Sequence, residues 1–300
     1  MSAPGGFPAW DYGDMVELKT EAEIARMRVA GLVVGRTLRS LRAAVAPGVT
    51  TAELDELAEE AIRAAGAKPS FLGYQGFPAT ICTSVNDEVV HGIPSRKRVL
   101  HEGDVISIDC GAIVDGWHGD AAVTVAVGEV PDGLRRLMEA CEASLWAGLA
   151  AARPGGRLGD IGRTVEAAVR AAGRYGVLRE YGGHGIGTAM HQEPFVPNYA
   201  TRRGGAGRRL EPGLVLAVEP MITTGSARSR VLDDDWTVVS KDGSAAAHYE
   251  HTVAVTARGP WVLTALDGGR GRLGDAYGGP EQERVEEDSV SIDASGRDHG

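Results

Sequence analysis

Pro47-Gly-Val-Thr-Thr-Ala-Glu-Leu54 runs on to Ile62-Arg-Ala-Ala-Gly66, and Pro154-Gly-Gly-Arg-Leu-Gly-Asp-Ile161 runs on to Val169-Arg-Ala-Ala-Gly173, an offset of 107 residues throughout. In both copies a Pro-Gly pair breaks a preceding helix and a glycine ends the shorter one that follows. The first long helix opens on Thr20 with Glu23 three residues on, a capping box. It places Ile24, Met27, Gly31, Leu32, Leu38 and Leu41 on one stripe. The second starts near Asp132 and carries Leu134, Leu137, Met138, Cys141 and Leu145. Downstream, Gly103 precedes Asp109 by six residues and Gly213 precedes Glu219 by six, while Asp120-Ala-Ala-Val-Thr-Val resembles Glu250-His-Thr-Val-Ala-Val. Helix, helix and antiparallel strands, twice over, predict an α+β domain of pseudo-twofold halves, 20–130 and 131–266, around a central sheet.

Composition bounds the rest. The 300 residues are 43% hydrophobic, enough for a sizeable core, and no apolar run approaches the roughly 20 residues of a membrane span. The N-terminus lacks a secretory pattern, so a cytoplasmic protein is expected. A net charge of −10 without a dominant Lys/Arg cluster argues against binding nucleic acid. Cys82, Cys110 and Cys141 have no metal-ligand spacing and an odd count, and read as reduced thiols. Residues 1–14 read as a flexible N-terminal extension. From Asp267 to Gly300 nine acids face four arginines in a Gly- and Ser-rich context, which predicts a disordered acidic tail over 267–300.

The chemistry lies where the repeat matches carboxylates. Asp109 closes the run Val105-Ile-Ser-Ile-Asp109, Asp120 opens another, Glu219 closes Leu214-Val-Leu-Ala-Val-Glu219, and Glu250 opens the last. His184 stands in Gly182-Gly-His-Gly-Ile-Gly187. A single acid at a strand end is ordinarily a solvated surface residue. Four acids matched across two halves of a duplicated chain imply one pocket, and four carboxylates brought together need cations. Oxygen-rich ligands with one imidazole suit Mn, Fe(II), Co or Zn, and a pair of divalent ions about 3.5–4 Å apart makes hydrolysis the natural reaction class.

Asp109, Asp120, His184, Glu219 and Glu250, with Gly182-Gly-His-Gly-Ile-Gly187, Val218-Glu-Pro-Met221 and Tyr249-Glu-His-Thr252, resemble the ligand motifs of type I methionine aminopeptidases over roughly residues 15–266. The resemblance implies the pita-bread fold of that family around a curved antiparallel sheet. It also implies a centre of two divalent metals in which Asp120 and Glu250 bridge, Asp109 chelates one ion, and His184 and Glu219 complete the other. Glu219 would also take a proton from the attacking water. His91, in Val90-His-Gly-Ile-Pro94, matches the histidine on the amide side of the substrate, and His191, in Met190-His-Gln-Glu-Pro194, the one that stabilises the oxyanion. Tyr74, Phe77, Cys82, Met190 and Trp236 stand where the family builds its methionine pocket, with Phe71 in place of a common cysteine and Met190 in place of a common Phe.

The resemblance therefore implies removal of the initiator methionine from nascent polypeptides with a small second residue. It further implies a monomer acting at the ribosome. Ser2 is itself small enough for the chain to be processed. Two other readings use similar residues: an Xaa-Pro aminopeptidase or prolidase, which shares nearly the same ligands, and a peptide-binding relative without catalysis. Of the remaining histidines, His251 is expected on the strand face opposite Glu250, and His118, two residues before Asp120, on the face of that acid. His101, His248 and His299 are expected in loop or tail contexts.

Overall fold

The computed structural model describes residues 16–201 and 207–281. The first half comprises α1 (Glu21–Ala44), α2 (Thr51–Ala64), β1 (Lys68–Pro69), β2 (Ile81–Val85), β3 (Glu88–Val90), β4 (Val105–Val114) and β5 (Trp117–Ala126). The second comprises α3 (Asp132–Ala151), α4 (Leu158–Ala172), β6 (Gly176–Val177), β7 (Gly183–Gly185), β8 (Gln192–Val196), β9 (Val215–Val218), β10 (Met221–Thr223), β11 (Ser229–Val231), β12 (Val238–Ser240), β13 (Ala246–His248), β14 (Glu250–Val255) and β15 (Pro260–Val262), then the single turn α5 (Arg270–Leu273).

The helix boundaries follow from local chemistry. Thr20 and Thr50 both accept from the amide three residues on, and Glu23 and Glu53 reach back to the cap amides, so α1 and α2 each open on a complete capping box. After α1 and α3, Gly48 and Gly155 adopt φ of +92° and +82°, the left-handed turn that the Pro-Gly breaks require. One core packs Val34, Leu38, Leu54 and Ile62 of α1 and α2 against Ile81, Ile106 and Ile108. Its counterpart packs Leu137, Leu145, Ile161 and Val165 of α3 and α4 against Leu216, Val218 and Val253. The repeat is thus two equivalent hydrophobic cores on one sheet.

That sheet has nine strands along the path β1-β4-β5-β14-β9-β7-β8, with β2 added at β4 and β15 at β14. All its pairings are antiparallel, and β5 meets β14 where the halves join. Helix α1 lies close on its back. A Cβ on Gly31 would come 2.2 Å from the Leu263 carbonyl oxygen, and one on Gly119 would come 2.8 Å from the Gly31 nitrogen. Gly31→Ala should therefore destabilise the fold. Alanine gains about 1 kcal/mol of helix propensity, but overpacking against backbone costs about 1–3 kcal/mol. A lower urea midpoint with unchanged slope would bear this out, and an equal or higher midpoint would show that α1 can retreat.

The C-terminal expectation needs correction. Residues 267–281 are folded rather than disordered: Leu273 and Ala276 are each 7% exposed, and Tyr277 packs beside the second core. Arg272 pairs with Glu142 and stacks on Trp146, while Arg270 stacks on Tyr277 and donates to the carbonyls of Pro280 and Glu281. A few anchors hold a segment whose average composition reads as a tail. The expectations for residues 1–14 and 282–300 lie outside the described residues.

Candidate metal centre

Strand register builds the site. Asp109 of β4 lies opposite Ala122 of β5, and Ala122 lies opposite Glu250 of β14. Val218 pairs with His251, so Glu219, one residue on, falls opposite Glu250. Asp109, Ala122, Glu250 and Glu219 thus form one row across four strands. Two residues along each strand, and so on the same face, runs a second row: Gly111, Asp120, Thr252, Ala217 and His184. Apart from the adjacent Glu250 and Glu219, small residues separate the ligating types within each row, leaving the carboxylates room to converge over the sheet.

The acids are not all at strand ends, as their apolar flanks suggested. Glu219 and Glu250 are, but Asp109 and Asp120 sit inside ten-residue strands. Pairing continues past them to the turn at Asp115-Gly116, where φ is +49° and +82°.

The row pattern also explains why a histidine replaces strict symmetry. The pair Ala121–His251 is the centre about which Asp120 and Glu250 exchange. The position that would mirror Asp109, opposite Thr252, is Ala217. Glu219 lies two residues further on. His184, brought opposite Ala217 by β7, fills the vacated corner. Its glycine neighbours are demanded by crowding: a Cβ on Gly183 would meet the Ala217 oxygen at 2.1 Å, and one on Gly185 the Glu193 oxygen at 2.2 Å.

Asp120, His184 and Glu250 are buried, Glu219 is 9% exposed, and Asp109 lies partly open with its Oδ1 buried. Asp120, His184 and Glu250 can bring one ligand atom each within 4.8 Å of one another. Glu219, His248 and Glu250 can do the same. His184 Nε2 is 3.7 Å from Glu219 Oε1. Burial raises all four carboxyls, Asp109 to about 7, and mutual repulsion raises Asp120, Glu219 and Glu250 further. Burial also keeps His184 neutral, pushed down to about 4, with Nδ1 2.9 Å from the Gly185 oxygen. Among the described residues, Asp109 Oδ1, Asp120 Oδ1 and Glu250 Oε1 are buried without a hydrogen-bond partner. Orphaned carboxylate oxygens beside neutral imidazole fit divalent cations, which supply what no donor here supplies.

The other expected residues gather around this centre. The His191 ring lies 4.3 Å from that of His184, centre to centre and tilted by 56°, and its Nδ1 lies 2.9 Å from the Tyr74 hydroxyl. His91 follows β3 at φ +62°, an uncommon conformation for a non-glycine residue, and meets the Tyr181 ring edge-on. Tyr74, Phe77, Cys82, Met190 and Trp236 form one apolar cluster with Phe71, Ala79 and Ile93. Cys82 pairs directly opposite Asp109, so the cluster abuts the acids. Burial, then Asp109, pushes its thiol up and keeps it neutral. All three cysteines are free.

Further residues complete the surroundings of the centre. Asn198 is buried and donates to the Glu219 carbonyl at 2.9 Å, and Thr252 donates to the Asp120 carbonyl at 2.8 Å. His118 does share the face of Asp120 and lies 3.0 Å from Ser70 Oγ through Nδ1. His251 takes the opposite face, against Trp146 and Thr264. His248 is not in a loop: it ends β13, is 1% exposed, and its Nε2 stands 3.7 Å from Glu219 Oε2. Its spacing of two from Glu250 was the available signal.

Residues 25–257 match metallopeptidase family M24. The chain belongs to this family. This M24 peptidase is 53% identical over 255 residues to methionine aminopeptidase 1 of Mycobacterium tuberculosis, covering 83% of the present chain and 95% of that relative. It superimposes on the crystal structure of methionine aminopeptidase from Thermotoga maritima with a TM-score of 0.81 at 41% identity, covering 84% of this chain and all of that one. Prolidase from Pyrococcus furiosus shares the pita-bread fold at 22% identity and a TM-score of 0.66, with 65% of its chain covered. Among the described residues of the M24 peptidase, no helix is long and apolar enough to cross a membrane.

Proposed function

We infer that the chain is a metal-dependent aminopeptidase that hydrolyses N-terminal methionine from nascent proteins and peptides whose second residue is small. One observation carries the reading: buried, unpartnered carboxylate oxygens converge beside His184, directly against the apolar cluster that contains Phe77, Cys82 and Met190. The high identity to methionine aminopeptidases over most of the chain supports the substrate class.

Asp109, Asp120, His184, Glu219 and Glu250 would hold two divalent ions, chosen from Co, Mn, Fe(II) and Zn. Held there, such ions would supply Lewis acidity toward a scissile carbonyl and a water made nucleophilic near neutral pH. Glu219, whose proton affinity is raised by burial and by Asp109 and Asp120, is suited to accept a proton from that water. When Tyr74 donates to Nδ1 of His191, Nε2 carries the ring proton and can donate to the developing oxyanion. His91 lines the amide side. Phe77 and Trp236, ring edge to ring face at 5.0 Å, wall the pocket with Met190 and Cys82, surfaces suited to a thioether chain. Action as a monomer at the ribosome, in the cytoplasm, belongs to the same proposal.

The test is release of free methionine from Met-Ala-Ser by metal-free protein titrated with Fe(II), Mn, Co and Zn. Turnover with at least one ion, and preference for this peptide over an Xaa-Pro peptide, is expected. Preference for the Xaa-Pro peptide would transfer the chain to prolidase-like chemistry, and peptide binding without turnover at any ion would leave a binding protein.

A further inference from the structure

We propose that His248 is a sixth ligand of the metal centre, adding an imidazole to the ion held by Glu219 and Glu250. The inference rests on the dinuclear reading above and extends its ligand set.

Two ladders fix the position of His248. Its backbone amide accepts no freedom: N–H donates to Thr124 Oγ1 at 2.9 Å, and Thr124 Oγ1 donates to its carbonyl at 2.8 Å. On the other side it pairs with Met221 of β10. Thr124 in turn meets Ser107 Oγ at 2.9 Å. Ser107, Thr124, His248 and Met221 therefore make a third row, beside the row that carries Asp109, Glu250 and Glu219. The parity of two places the imidazole on the face of those acids.

Its Nε2 is buried, 3.7 Å from Glu219 Oε2 and 3.9 Å from Glu250 Oε2, and has no hydrogen-bond partner among the described residues. Both separations exceed a hydrogen bond. They suit two ligand atoms on one ion, where bonds of about 2.0–2.2 Å hold neighbours roughly 3–3.5 Å apart after slight contraction. A histidine retained only to orient Glu219 would instead donate to it within about 3.2 Å, as outer ligands do. Glu219 thus faces an imidazole from each oxygen, His184 at Oε1 and His248 at Oε2. The two groups Asp120–His184–Glu250 and Glu219–His248–Glu250 each contain one imidazole and share Glu250.

The experiment is zinc K-edge X-ray absorption on the full chain loaded with two equivalents of zinc, in which imidazole rings are counted by their multiple scattering. An average of one imidazole per zinc is expected for the wild type, falling to half in His248→Gln. Calorimetry should show the affinity for one of the two ions reduced more than a hundredfold in that variant, beyond the ten- to hundredfold that loss of a group merely orienting a ligand costs. Half an imidazole per zinc in the wild type, unchanged in His248→Gln, overturns the inference and leaves the dinuclear enzyme standing with His184 alone. The wild-type count needs no variant to fold. Failure to retain two zinc ions at all would remove the metal reading itself, a separate result.

Discussion

Glu250→Gln should lower turnover of Met-Ala-Ser by a thousandfold or more while making the metal-free protein more stable. The two effects have one cause. Glu250 is shared by both groups that can gather on an ion, so its loss weakens both at once. About 4 kcal/mol of lost transition-state stabilisation corresponds to a thousandfold. Without metal the same carboxylate is a liability: buried, with Oε1 unpartnered, and raised first by burial and then by Glu219 and Asp109. Glutamine keeps the volume and carries no charge. The thermal midpoint of chelator-treated Glu250→Gln should therefore rise above that of chelated wild type, and the gain on adding metal should shrink. Near-normal turnover would refute the sharing, and a lower midpoint without metal would show that the carboxylate has a partner that stabilises it.

Stripping the metals should also change how stability depends on pH. Asp109 holds its proton to about 7 in the folded chain, and Asp120, Glu219 and Glu250 are held up in the same direction, whereas free carboxyls release theirs near 4. Folded protein then binds more protons than unfolded protein, and stability falls as pH rises. The buried imidazoles pull the other way. His91, His118 and His184, pushed down to about 4, and His248, to about 3, favour the folded state as pH rises, but only until free imidazole has lost its proton near 6.5. Below about 6.5 the two sets oppose; above it the carboxyls act, joined from about pH 8 by the buried thiols of Cys82, Cys110 and Cys141, whose protons burial also holds. Each proton the folded chain retains there contributes a slope of about 1.4 kcal/mol per pH unit, or about 2–4 °C in the thermal midpoint. Melting of chelated protein between pH 6.5 and 9 should show the midpoint falling steadily, with Mn or Co restoring it most at the alkaline end, because binding displaces those protons. A flat or rising midpoint without metal would contradict the carboxyl cluster.

Much of this was legible in one dimension because it is locally encoded. Thr20 with Glu23 announces a helix start, the two Pro-Gly pairs announce helix ends, and the offset between copies announces two equivalent halves. The glycines around His184 mark a backbone that cannot carry side chains. What escaped depends on register and on long-range partners. That Asp109 and Asp120 lie within strands follows from pairing across Gly111 and Gly119, which no apolar run reveals. Asn198 finds the Glu219 carbonyl across 21 residues with no periodic signal. His248 was hidden by short strands, since three residues of β13 give too little alternation to recognise, although its parity with Glu250 was open to view. Residues 267–281 were hidden by averaging: glycines and acids mask Leu273, Ala276 and two stacked arginines.

Arg28 near the start of α1 donates to the carbonyls of Leu263, Ala265 and Leu266, and Glu250 is the last of the converging acids in chain order. Domains fold from the N-terminus as they are synthesised. A growing copy of this protein therefore carries a first helix whose buried cation waits for nearly the whole chain, and it holds no complete set of acids until late in translation. The metal centre of a nascent copy is therefore a late product of translation, closed only after nearly all of the domain has left the ribosome.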